Sequence, residues 1–281
     1  MSISEDVVTG RKRALKLGIA SLGTIGLSVA RRVDAGDLPG FELAAVAARN
    51  LDKARRNLEG FRTLPQLAPP TALADACDVV VECAPAALFR EIAESVIGKG
   101  RIFVPLSVGR LLEHMELVDL ARRTGARIIV PTGALLGLDA VKAVAEGSIT
   151  SIRMTTRKPP KGLAGAPHLV ANAISIDGLT EPKKVFSGSA REAARGFPAN
   201  VNVAAALALA GIGPDRTEVE IWADPTVRHN THTIAVTSDS SDFTMTIQNI
   251  PSVENPATGR ITALSVIATL RRLTAPLVVG T

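Results

Sequence analysis

A chain of 281 residues with 46% hydrophobic and 21% charged side chains is ordinary globular material, long enough for two compact domains and too apolar for disorder. No apolar run approaches the roughly 18 residues that span a bilayer, and Met1 to Lys16 mixes acidic and basic residues with no apolar stretch behind them, so a cytoplasmic protein off the membrane is expected. The net charge of +5 comes from scattered basic residues in a chain with no Tyr, one Trp and seven Phe; base-stacking surfaces need aromatics, so anionic small molecules fit better than nucleic acid.

Gly10-Arg11-Lys12-Arg13 reads as a solvated arm, and the fold is expected to begin at residue 15. Leu15 to Ala20 reads as a short buried strand, and Thr24 to Val33 carries Ile25, Val29 and Val33 at helical spacing. Further strands are expected at Phe41 to Ala48, Asp78 to Cys83, Arg101 to Pro105 and Ala126 to Pro131. Helical composition marks Ala86 to Ile97 and Leu111 to Thr124. Strands alternating with helices at this spacing predict an α/β fold, a Rossmann-type doubly wound parallel sheet with right-handed crossovers. Cys77 and Cys83 flank a strand that holds their Cα atoms about 20 Å apart, too far for a disulfide. With no ligand cluster nearby they make no metal site either, and inert thiols in a reducing compartment are expected.

The turn after the first strand is Ser21-Leu22-Gly23-Thr24-Ile25-Gly26, the dinucleotide fingerprint GxGxxG with serine for its first glycine. Its second glycine lets the backbone approach a pyrophosphate, its third lets helix and strand pack closely, and the helix N-terminus offers amide donors. The bland alternative is a tight turn using glycine for geometry alone; the position between a strand and a helix favours NAD or NADP. Where an NAD-selective site offers an acid at the end of the second strand, this chain has Ala47-Ala48-Arg49-Asn50. Arg49 can face a 2′-phosphate, with Lys53, Arg55 and Arg56 near it, or can simply be solvated; dual use of NAD and NADP is the expectation.

From Ser148 the pattern changes to alternation: Ile152 and Met154; Val219, Ile221 and Ala223; Ile234 and Val236; Phe243, Met245 and Ile247. Period-two segments fit a sheet with one buried face, and so a second, α+β domain for substrate and dimerisation. A helix over Val201 to Ala210 stops at Gly211, and a last helix is expected from Asn255-Pro256 through Ile261, Leu264, Ile267 and Leu270. The expected division is 15–131 for the nucleotide, 132–254 for substrate and oligomerisation, and 255–281 as a helix packing back on the nucleotide domain.

Several segments together resemble the L-aspartate dehydrogenase family. They are the turn Ser21 to Gly26, Pro131-Thr132-Gly133-Ala134 with Gly137-Leu138-Asp139-Ala140, and Lys158-Pro159-Pro160-Lys161-Gly162-Leu163. Further on come Phe197-Pro198-Ala199-Asn200-Val201-Asn202-Val203-Ala204, Asp224-Pro225 through Asn230-Thr231-His232-Thr233-Ile234, and Pro251-Ser252 through Leu273. The resemblance implies NAD(P)-linked oxidation of L-aspartate to iminoaspartate, which hydrolyses to oxaloacetate and ammonia or feeds NAD biosynthesis. It also implies that His232 matches the family's catalytic histidine, that Ala134 and Asn202 match cofactor-contacting positions, and that the chain works as a homodimer.

The residues support that chemistry on their own terms. Removing hydride from an amino acid requires a neutral amine, hence a base with a pKa near working pH, and histidine suits. Alternation puts His232 on one face with Ile234 and Val236, where desolvation favours the neutral ring. His229 in a turn, His168 in a loop and His114 in a helical stretch read as structural or solvated, and Ser107 as a turn former. A dicarboxylate needs cations, for which Arg157, Lys158 and Lys161 are candidates. The absence of Tyr removes the Tyr-x-x-x-Lys arrangement of short-chain dehydrogenases. The competing readings are a two-domain reductase of the dihydrodipicolinate reductase or homoserine dehydrogenase kind, and a non-catalytic NAD(P)-binding redox sensor that would not need His232.

Overall fold

The computed structural model describes residues 13–198, 201–252 and 259–280. Residues 10–12, Ala199 and Asn200 of the Phe197 to Ala204 segment, and the expected helix start at Asn255-Pro256 lie outside them. The chain forms two compact units: one of the described residues up to Val104 with Glu116–Ile129 and Ile267–Pro276, the other of Pro105–Met115, Val130–Val266 and Leu277–Thr281 so far as described.

The first unit is built on six strands: β1 (Leu15–Ala20), β2 (Phe41–Ala47), β3 (Gln66–Leu67), β4 (Val79–Glu82), β5 (Ile102–Pro105) and β6 (Arg127–Ile128). Their order is β3-β2-β1-β4-β5-β6, and β1 pairs in parallel with both β2 and β4. This is the doubly wound order, in which ligands bind beyond the carboxyl ends of the strands where the order reverses, here between β1 and β4. A parallel sheet covered on both faces needs continuous apolar strands. Val79, Val80 and Val81 are accordingly all fully buried, with Leu17 and Ile19 beside them and Phe89 against Phe103 at 5.9 Å.

Two expected elements differ. The stretch Leu111 to Thr124 is two helices, Val108–Leu111 and Glu116–Thr124, with His114 in the turn between them; Glu116 and Asp119 in the second helix's first turn favour a fresh N-terminus there. The strand expected over Ala126 to Pro131 pairs only at Arg127 and Ile128, since β6 is an edge strand and Pro131 has no N–H to donate. Cys77 and Cys83 are both free thiols. Among the described residues no helix is long and apolar enough to cross a membrane, and no group of three His, Cys, Asp or Glu is placed to hold a metal.

The second unit carries β7 (Ile149–Lys158), β8 (Lys183–Ser189), β9 (Thr217–Ala223), β10 (Thr231–Ser238) and β11 (Phe243–Gln248) in the order β11-β10-β7-β9-β8. β10 is antiparallel to β7 and β11, β9 antiparallel to β8, and β7 runs parallel to β9. The alternation resolves as expected: Ile152, Met154, Val219, Ile221, Ile234 and Val236 form one buried face. The apolar helix Asn202–Ala210 belongs to the same core, and Gly211 ends it where a Cβ would run into Ile152. The opposite face is polar, with Arg153 on Glu218 at 2.9 Å and a Thr233–Thr246 hydroxyl pair at 3.1 Å.

Candidate active site

In the first unit the fingerprint turn leaves β1 at its switch-point end. Ser21 holds φ at +93°, the left-handed conformation that the fingerprint's first glycine normally supplies. Its carbonyl, like that of Ala20, accepts from the Cys83 thiol, at 3.2 and 3.3 Å. Leu22 is buried, and its carbonyl accepts from Asn57 Nδ2 at 3.3 Å. Gly23 is the N-cap of the helix Thr24–Asp34, which has no side-chain cap and no acid in its first turn, so the first amides, Thr24 and Ile25, are open to an outside acceptor, while the buried Gly26 amide faces the Cys83 sulfur.

The two glycines of this turn differ in kind. At Gly23, φ is −73° and an added Cβ would meet nothing nearer than Ser21 Oγ at 3.8 Å, so the fold does not require glycine there. At Gly26 an added Cβ would run into the Ser21 carbonyl and lie 2.9 Å from Cys83 Sγ. Gly26 is therefore needed for helix–strand packing, while Gly23 keeps an exposed backbone bare, a cradle that fits a pyrophosphate. Arg49 is exposed just past the end of β2, before Asn50, whose side chain caps the next helix by accepting from Lys53 N at 2.9 Å. Of the neighbouring cations, Arg55 is engaged with Asp52 at 3.1 Å.

In the second unit His232 lies on β10 directly opposite Thr156 of β7, and Thr156 Oγ1 meets His232 Nδ1 at 3.0 Å. Both are buried, at 3% and 4% exposure, and Lys158, two residues along the same face of β7, is only 6% exposed. Burial, with a smaller contribution from the Lys158 charge, pushes the His232 imidazole down to about 3; burial alone brings the Lys158 ammonium down to about 8. The free site therefore holds a neutral imidazole well below the near-neutral value that the chemistry asks of a base. The period-two series that marked Ile152 and Met154 runs on through Thr156 and Lys158, so both were within reach of the sequence; which residue faces His232 follows only from strand pairing.

The other candidates fall elsewhere. His229 is exposed in the turn before β10, and Lys161 is exposed in the turn Pro160–Gly162. His168 lies in a short helix, Pro167–Ala171, with its ring 5.2 Å from Phe186 and 5.4 Å from Phe197. Ser107 is the N-cap of Val108–Leu111. Asn202 opens its helix, and its Oδ1 accepts from Gly109 N at 3.0 Å. Ala134 sits in a turn held at two points: its carbonyl accepts from Asn249 Nδ2 at 3.0 Å, and Gly133 N donates to Ser265 Oγ at 3.0 Å. Neither tether is visible in the sequence, because each spans more than a hundred residues and has no periodic signature.

Residues 22–131 match the family described as homoserine dehydrogenase, NAD binding domain, and residues 139–273 the family described as aspartate dehydrogenase, C-terminal. L-aspartate dehydrogenase of Bradyrhizobium diazoefficiens is 57% identical over 95% of this chain and 94% of its own. The chain belongs to the L-aspartate dehydrogenase family. L-aspartate dehydrogenase 3 of Bordetella bronchiseptica is 52% identical over 96% of this chain and 99% of its own. The crystal structure of aspartate dehydrogenase from Thermotoga maritima superposes with a TM-score of 0.72 at 24% identity, covering 95% of this chain and all of that one, which shows a shared fold. The first unit's match is to a domain type shared with homoserine dehydrogenase, so the second unit carries what is specific to the family.

Proposed function

We propose that this chain is an L-aspartate dehydrogenase, oxidising L-aspartate at Cα to iminoaspartate, which hydrolyses to oxaloacetate and ammonia, and running the reverse amination. The observation that carries the reading is His232, a buried neutral imidazole fixed by Thr156 beside a buried lysine, in the segment matched by aspartate dehydrogenase. The bound nicotinamide supplies the hydride acceptor. In the tautomer whose Nδ1–H donates to Thr156 Oγ1, 3.0 Å away, His232 Nε2 carries the lone pair that takes a proton from the substrate ammonium or from attacking water. The depressed basicity of the free site suits a dicarboxylic substrate, whose negative charge raises the imidazole towards working pH on binding.

For the cofactor, Gly23 to Gly26 hold the pyrophosphate, and Arg49, standing where an acid would select NAD, accepts the 2′-phosphate of NADP, so both cofactors are used. Ala134 and Asn202 are the cofactor-contacting positions of the second unit. The working form is a cytoplasmic homodimer, which sedimentation of the full chain tests for assembly.

The deciding experiment follows the reduced nicotinamide's absorbance with oxaloacetate, ammonia and either NADH or NADPH, with pyruvate, 2-oxoglutarate and aspartate semialdehyde alongside. Oxaloacetate is the expected substrate. His232→Ala should lower turnover by about 10²–10⁴-fold with cofactor affinity kept, and Arg49→Ala should weaken NADPH more than NADH. A folded His232→Ala protein with near-native turnover removes His232 from the mechanism. Cofactor binding without turnover of any substrate favours the sensor reading.

A further inference from the structure

Three cations lie at or just past the end of β7, and the structure separates them. Arg157 turns to the face opposite His232, where its guanidinium pairs with Asp224 at 2.9 Å and lies over the Trp222 ring at 4.8 Å. Lys161 is exposed in the following turn. Lys158 alone shares the buried face of Thr156 and His232, and its backbone is fixed there by its carbonyl accepting from Asp224 N at 2.8 Å.

We propose that Lys158 holds the side-chain carboxylate of the dicarboxylic substrate and so selects a four-carbon diacid over its monocarboxylate counterpart. This rests on the reading of the His232 site as the place where the amine is oxidised. A desolvated ammonium is costly and marks a functional position when it sits beside a buried imidazole. Lys158 keeps its charge at neutral pH, its pKa lying near 8. His232 pairs with Thr156 on the neighbouring strand, so Lys158 stands about 7 Å along the sheet and about 5 Å across from it, near enough for one small diacid to meet both side chains. The placement also couples binding to chemistry: the Lys158 charge is one cause of the low basicity of His232, and a carboxylate neutralising it lets the imidazole accept a proton.

The test uses the full chain saturated with reduced cofactor, in the wild type, Lys158→Met and Lys158→Arg. Methionine fills a similar volume without a buried charge, and Trp222 emission checks that the second unit is folded. At equilibrium, succinate should raise the unfolding temperature of the wild type more than butyrate does, a difference that Lys158→Met abolishes and Lys158→Arg keeps in part. In turnover, the kcat/KM preference for oxaloacetate over pyruvate should shrink by about 10–100-fold in Lys158→Met, mostly through KM. Equal stabilisation of the wild type by succinate and butyrate overturns the proposal, as does an unchanged preference in folded Lys158→Met or an equal loss on both substrates. If the wild type turns over neither substrate, the proposed reaction fails, and the succinate and butyrate shifts still decide whether Lys158 binds the second carboxylate.

Discussion

Gly23 and Gly26 lie in one turn, yet packing demands glycine at only one of them. Gly26→Ala drives a Cβ into the Ser21 carbonyl and Cys83 Sγ, and backbone that close cannot yield cheaply, so a loss of about 1–3 kcal/mol or more is expected. Gly23→Val meets open space at an ordinary φ and should leave stability within about 1 kcal/mol of wild type, the usual span for an N-cap change. Its branched side chain instead occupies the bare backbone where a pyrophosphate would approach, so NADH and NADPH affinity should both drop at least about tenfold. Denaturant unfolding and cofactor titration of the two variants check this; unchanged cofactor affinity in folded Gly23→Val means that the cofactor is not held here. The glycine types were legible in the sequence, but the conformation at Ser21 was not. Serine in the first glycine's place suggests a different turn, whereas the backbone keeps the glycine geometry at φ +93°, a strain on the order of 1–3 kcal/mol, with the Cys83 thiol on the carbonyls at either side.

At the scale of elements, what could be read was what repeats. β1 and β4 announce themselves as short continuous apolar runs, and the alternating strands β7, β9, β10 and β11 because one buried face imposes a period over several residues. The two-residue strand β3 and the short helices Leu73–Ala76 and Val108–Leu111 are too brief to carry a period, and tertiary pairing decides them, as it decides how little of the strand expected over Ala126 to Pro131 pairs as β6. The turn around Ala134 belongs to this second kind. Its two tethers reach in from residues far along the chain: Asn249, which also donates its backbone N–H to the Asn230 carbonyl at 2.9 Å just before β10, and Ser265, whose hydroxyl is anchored on Thr262 O at 2.8 Å. Asn249 thus joins the Ala134 turn to the strand that carries His232, and its buried Oδ1 has no partner among the described residues. Each tether is worth about 1 kcal/mol, so Asn249→Ala and Ser265→Ala should each weaken cofactor binding about fivefold if Ala134 contacts the cofactor. Because both act on the same turn, the double variant should depart from additivity by about 0.5 kcal/mol or more in cofactor affinity. Strict additivity, or single variants that lower stability alone, would detach the tethers from cofactor binding.

The molecule as a whole has two units with separate cores, and one family match falls on each, so its unfolding need not be a single transition. The change of period near Ser148 signals the division. The return of Pro105–Met115 to the second unit gives no such signal, since it depends on contacts such as Gly109 N on Asn202. Trp222 is the chain's one tryptophan and lies on β9, so its emission follows the second unit alone. That unit buries two groups whose protonated forms burial disfavours, and the sign of their effect is fixed by linkage. His232 goes from about 3 when folded to its ordinary 6.5 when unfolded, so the unfolded chain binds the extra proton and stability falls as pH drops from 6.5 towards 3. Lys158 goes from about 8 to 10.5, so the same argument makes stability rise as pH climbs from 8 to 10.5. Urea unfolding followed at Trp222 should therefore show two rising segments with a flatter stretch between them. His232→Gln should flatten the acidic segment and leave the alkaline one, and Lys158→Met should do the reverse. An acidic slope unchanged in His232→Gln would mean that His232 is already protonated, or already open to water, in the folded protein, and a buried neutral imidazole could then no longer be the starting point for proton transfer.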